Sequence, residues 1–94
     1  MRILLSLLLL LSFTSYSQVI TVLDVDTREP IIGVAIFNND KSKSALTDFD
    51  GKADVTAFAK AETLYFQEVA HKDAQYTKAQ IAAFSNRIFL KQKD

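Results

Sequence analysis

The sequence predicts a small all-β domain, an antiparallel β-sandwich of about seven short strands. Three observations predict it. Runs rich in β-branched and aromatic residues alternate between two faces with period two. Turn-forming residues interrupt these runs about every ten positions. A parallel sheet would need crossover helices of about a dozen residues or more, and residues 76–84 are the only candidate, short and late in the chain.

The first residues stand apart from that pattern. Met1 and Arg2 give a short basic start, Ile3 to Leu11 is apolar except for Ser6, and Ser12 to Gln18 is small and polar. This is the order of a secretory signal peptide, with Ser15 and Ser17 at positions −3 and −1 of a cut before Gln18. A retained membrane anchor would need ~20 apolar residues, about twice this run. The expected organisation is a leader over 1–17 and one domain over 18–94. That domain has 77 residues, a net charge of about −1 and no cysteine. A chain this short buries only ~60% of its unfolded surface, and here no disulfide staples it. No basic block marks a nucleic-acid binder, and no later segment is apolar enough to span a membrane.

Each element follows from its residues. Gln18 to Val25 reads as the first strand, with Val19, Thr21, Leu23 and Val25 on one face and Ile20, Val22 and Asp24 on the other. Asp26 to Pro30 ends it, and Pro30 belongs at a strand start or edge. A second strand is expected over Ile31–Phe37, with Gly33 marking a bulge or close approach. After a polar loop, Asn38 to Lys43, come a third strand over Ser44–Thr47, a tight turn over Thr47–Gly51, and a fourth strand over Lys52–Val55. Thr56 to Ala61 is Ala-rich and reads as a single helical turn or a loop, with Thr56 as the N-cap in the helical case and Phe58 plugging one end of the core. Thr63 to Val69 is a fifth strand, and Ala70 to Gln75 a polar connection. Tyr76 to Phe84 reads as helix or strand; Thr77-Lys78-Ala79-Gln80 matches a capping box. Arg87 to Lys91 is the last strand.

Two motifs stand together: Asp26-Thr27-Arg28-Glu29-Pro30-Ile31-Ile32-Gly33-Val34 and, 14 residues on from Gly33, Thr47-Asp48-Phe49-Asp50-Gly51-Lys52. The pair resembles the carboxypeptidase-regulatory-like domain, over Gln18 to about Lys91. The resemblance implies a transthyretin-like, Greek-key sandwich. It also implies a setting, the N-terminus of TonB-dependent outer-membrane receptors just after the signal peptide. The expected function is then a non-catalytic accessory domain on the periplasmic side in a Gram-negative bacterium. Its expected partners are envelope proteins, either the TonB system or a receptor's plug and barrel. Gln75 stands before Tyr76 where the family commonly has Gly. The receptors continue into plug and barrel, which do not follow Asp94 here; a stand-alone member and a truncated reading frame both stay open. A small carbohydrate- or ligand-binding module is the alternative, by analogy of fold.

The candidate chemistry is sparse. Asp48 and Asp50 begin an Asp-x-Asp-Gly stretch, but a calcium loop needs further oxygen ligands, including a late Glu, so a plain turn with Gly51 at positive φ is expected. His71, the one histidine, sits in a polar stretch without an orienting partner or nucleophile in sight, and reads as an exposed loop residue. Asp24, Asp26, Glu29, Glu62 and Glu68 read as a solvated surface. Of the aromatics, Phe37, Phe49, Tyr65, Phe66, Tyr76, Phe84 and Phe89, most are expected in the core, and any exposed cluster would mark a partner patch. No role of an enzyme active site is filled, and neither a metal nor a cofactor is expected.

Overall fold

Among the described residues the chain forms seven strands and one short helix: β1 (Val19–Asp24), β2 (Ala35–Phe37), β3 (Ser44–Leu46), β4 (Lys52–Asp54), β5 (Thr63–Glu68), β6 (His71–Thr77), α1 (Lys78–Ala83) and β7 (Arg87–Leu90). The computed structural model describes residues 17–94, so the leader assigned to 1–17 lies, but for Ser17, outside the described residues. The strands form two sheets, β4-β1-β7 and β3-β2-β5-β6. Ile20, Val22, Ala53, Ile88 and Leu90 from the first meet Ile36, Leu64 and Phe66 from the second in one buried cluster. Ile81 of α1 and the loop residue Phe58 close it. This is a small β-sandwich, as the alternation requires: in β1, Ile20 and Val22 are buried while Val19, Thr21 and Leu23 face outward.

One pairing departs from the expected antiparallel pattern. β1 and β7 run parallel, in register from Thr21 opposite Arg87 to Asp24 opposite Leu90. The chain between them includes the whole second sheet, besides β4 and α1, and this takes the place of a single crossover helix.

The Thr47–Gly51 turn joins the two sheets. Asp48 Oδ1 accepts the backbone N–H groups of Asp50 and Lys52, both at 2.9 Å, and the Gly51 N–H donates to the Asp48 carbonyl at 3.0 Å. Gly51 closes the turn at φ +71°. Thr47 fixes the approach. Its buried hydroxyl donates to the Ile31 carbonyl at 2.7 Å and accepts the Val34 N–H at 2.8 Å. This clip, with Gly33 at φ +77°, folds residues 31–34 into a turn. The expected strand over Ile31–Phe37 therefore shrinks to β2. Thr47→Val keeps the volume and leaves a buried donor and acceptor unpaired. A loss of about 2 kcal/mol in denaturant melts is expected, and an unchanged midpoint would show that the clip carries no weight.

Three further segments are settled. Residues 56–61 take the loop alternative, as turns and no helix: the Thr56 hydroxyl is taken by the Asp54 carboxylate and by the Gln18 N–H, so it caps nothing downstream. Of the polar segment 70–75, all but Ala70 is strand, not connection, because β5 turns directly into β6 through Val69 and Ala70. The ambiguous segment from Tyr76 divides at Thr77, where the strand ends in a complete capping box with Gln80 and α1 begins. Among the described residues no helix is long and apolar enough to cross a membrane.

Candidate functional site

Asp24 occupies an inward position of β1, next after Ile20 and Val22, and is only 4% exposed. A carboxylate there needs partners. Oδ1 accepts the N–H groups of Asp26 at 2.8 Å and Thr27 at 3.0 Å. Oδ2 meets His71 Nε2 at 2.8 Å and Gln92 Nε2 at 2.9 Å. His71 opens β6, 7% exposed, and its Nδ1 lies 2.5 Å from Glu68 Oε1, which also accepts the Ala70 N–H at 3.0 Å.

A carboxylate at each ring nitrogen requires both nitrogens to be donors, so the ring is an imidazolium. Burial opposes that charge, but the hydrogen bonds from Glu68 and Asp24 outweigh it and raise the His71 pKa. The N–H of Thr27, then His71 and Gln92, hold Asp24 well below the usual carboxylate range. Burial pushes Glu68 up, and its bonds to His71 and Ala70 bring it below its ordinary value.

The reading of His71 as an exposed loop residue, and of Asp24 and Glu68 as solvated, is thus corrected. The three form one buried brace between β1, the β5–β6 hairpin and the residues after β7. Backbone bonds from Lys72 to Lys91 at 2.7 Å and from Lys93 to Ala70 at 2.9 Å complete it. Both ring nitrogens are engaged, so in this arrangement His71 has no lone pair for a substrate proton or a metal. Among the described residues no group of three or more His, Asp and Glu side chains is placed to hold a metal ion.

Glu62 is likewise engaged. Lys43 Nζ at 2.8 Å, Asn38 Nδ2 at 2.8 Å and the Ala59 N–H at 2.7 Å all donate to it and hold its pKa at about 2. This ties the β2–β3 loop to the start of β5. Asp26 and Glu29 are exposed, as expected, and Asp48 serves its own turn.

The aromatics are less buried than expected. Among the seven singled out, Phe66 alone is fully buried. Phe37 and Tyr65 stack on the outer face of the larger sheet, centroids 5.9 Å apart, with Lys41 5.2 Å over Phe37. Phe49 projects from its turn, 85% exposed. Tyr76 packs edge-on between Phe66 and Phe84, and Tyr76, Phe84 and Phe89 line a groove of about 400 Å³.

That groove borders the outer face of the smaller sheet, where strand parity and register set a pattern. Lys52, Thr21 and Arg87 form one row, and Leu23 and Phe89 the next. The Arg28 guanidinium lies 5.1 Å over the Phe89 ring, and Lys91 follows one pleat on. Arg28, Lys52, Arg87 and Lys91 are exposed and take no part in the ion pairs found among the described residues. Asp54, on the same face, is occupied with Thr56. The result is an apolar strip rimmed by cations. Searches against protein-family models, curated proteins and solved structures find no match for the chain.

Proposed function

We propose that the chain is a non-catalytic contact domain of a bacterial envelope, resembling the carboxypeptidase-regulatory-like extension of TonB-dependent receptors. The observation that carries this reading is the division of its polar groups. The buried ones are spent on holding the fold: Asp24, Glu68 and His71 brace its strands, and no buried side-chain nitrogen or oxygen among the described residues lacks a partner. On the outer face of the smaller sheet an apolar strip stands beside cations that take no part in the ion pairs found among the described residues. Such a surface suits recognition of another protein. The apolar leader and the paired Asp26–Val34 and Thr47–Lys52 motifs support the periplasmic setting.

The test is expression of the C-terminally tagged full chain in a Gram-negative host, followed by fractionation, mass determination of the N-terminus and chemical cross-linking. A periplasmic product beginning at Gln18 and cross-linked to an envelope protein is expected. Cytoplasmic retention with residues 1–17 intact, or a product that cross-links to nothing, would overturn the reading.

A further inference from the structure

We propose that the free edge of β7, with the groove beside it, takes an extended acidic and apolar segment of a protein partner as an added strand. This rests on the contact-domain reading above and names the partner's chemistry.

Among the described residues the edge is open. β7 ends the order β4-β1-β7. The N–H groups of Thr21 and Val25 donate to the carbonyls of Asn86 and Leu90. Even-numbered residues of β7 therefore turn their backbone groups to β1, and Arg87 and Phe89 turn theirs away. The Arg87 N–H is satisfied by the Phe84 carbonyl. The Arg87 carbonyl and both backbone groups of Phe89 face the groove side. One residue past β7 the edge closes, where the Lys91 carbonyl accepts the Lys72 N–H. A strand entering here would find Phe84, Tyr76 and Phe89 along its path.

Side-chain spacing defines what would fit. Arg87, Phe89 and Lys91 project outward at period two, and an added strand presents alternate residues at that same spacing. A carboxylate beside Arg87, an apolar side chain against Phe89 and a second carboxylate beside Lys91 would match. Arg28, over the Phe89 ring, adds a third cation. The domain over 18–94 has no cationic excess, with 10 Lys and Arg and the one His against 11 acidic side chains, so this cationic face does not reflect overall charge. An anionic membrane has the right sign but offers no backbone N–H and carbonyl groups to pair with the Phe89 edge, as an extended peptide does.

The test is an NMR titration of the isotope-labelled chain with three probes. They are a seven-residue peptide with a Glu-Thr-Leu-Thr-Glu core, the same peptide with lysines for the glutamates, and vesicles of anionic phospholipid. Amide shifts centred on Arg87–Phe89 and Tyr76 are expected with the acidic peptide. Binding should weaken at least tenfold in R87E/K91E, whose melting temperature should be unchanged, and the lysine peptide should bind that variant. Shifts centred elsewhere, equal binding by R87E/K91E, no binding of the acidic peptide, or binding to vesicles instead of peptide would overturn the proposal. None of these touches the contact-domain reading, which stands or falls on capture of an envelope protein. Peptide binding at β7 without such capture would support the edge and sink the wider reading.

Discussion

Replacing Gly51 with alanine is expected to cost about 3 kcal/mol or more, a large part of the stability of so small a domain. Gly51 sits at φ +71°, and a Cβ there would stand 2.6 Å from the Val22 carbonyl oxygen and 2.9 Å from Pro30 Cβ. Neither neighbour is free to give way. The Val22 carbonyl accepts the Ile31 N–H at 3.0 Å, and the Val22 N–H donates to Gly51's own carbonyl at 2.8 Å. The methyl group would wedge β1 away from both segments it pairs with at that point. Gly33 provides the comparison: its φ is +77°, but nothing lies within 4 Å of its added Cβ. Gly33→Ala should therefore carry the backbone term alone, about 1 kcal/mol. At roughly 4–8 °C per kcal/mol for a domain of this size, thermal melts separate the two clearly. Equal losses would mean that the Gly51 turn does not pack against β1 as described.

The second large effect is expected at His71. His71→Gln keeps a hydrogen-bonding side chain but leaves the Asp24 and Glu68 carboxylates without their shared cation. Breaking a buried charge cluster by removing one partner is strongly destabilising, and a fall of roughly 10 °C or more in Tm near pH 6 is expected. The pH profile identifies the cause. His71 has its pKa raised above 6.5, so its contribution is fully present below about pH 6.5 and is lost as pH rises through the folded value. Asp24 and Glu68 are lowered from 3.8 and 4.5. Their contribution is present above those values and is lost as pH falls through the folded ones. Wild-type Tm should therefore peak between about pH 4.5 and 6.5 and decline on both sides. H71Q should lose the decline above pH 6.5 that comes from His71. A wild-type Tm that rises between pH 6.5 and 8 would show that the ring is not held as an imidazolium.

Much of the fold was legible because its strands bury one apolar parity each. β1 declared its inward face through Ile20 and Val22, and β5 through Leu64 and Phe66, while the capping residues Thr77 and Gln80 marked the helical one of two open readings for residues 76–84. β6 was illegible for a physical reason. Its first inward residue is His71, buried by carboxylates from elsewhere, and Lys72, Asp73 and Gln75 are exposed, so its residues look like a loop. A usable signal lay in β1. Asp24 shares its parity with Ile20 and Val22, and a carboxylate at a core-facing position demands a cation or several donors. What no local pattern supplies is the identity of those donors, since His71 is 47 residues away and Gln92 lies 68 away. The parallel register of β1 and β7 was hidden in the same way, because a whole sheet separates them in the chain. The outward aromatics were misjudged by counting. A chain of this size closes its core mainly with aliphatic side chains plus Phe58 and Phe66, which leaves Phe84 and Phe89 for the surface.

The central claim is that the buried polar cluster serves the fold while the cation-rimmed face of the smaller sheet serves contact. The most direct measurement is the yield of cross-linked envelope protein from two variants, H71Q and R28E/R87E/K91E, taken at a temperature where circular dichroism finds both folded. The claim predicts that H71Q, though less stable, captures as much as the unaltered chain, and that the charge-reversed face captures at least tenfold less with an unshifted Tm. Full capture by R28E/R87E/K91E, or capture lost in folded H71Q, would contradict it.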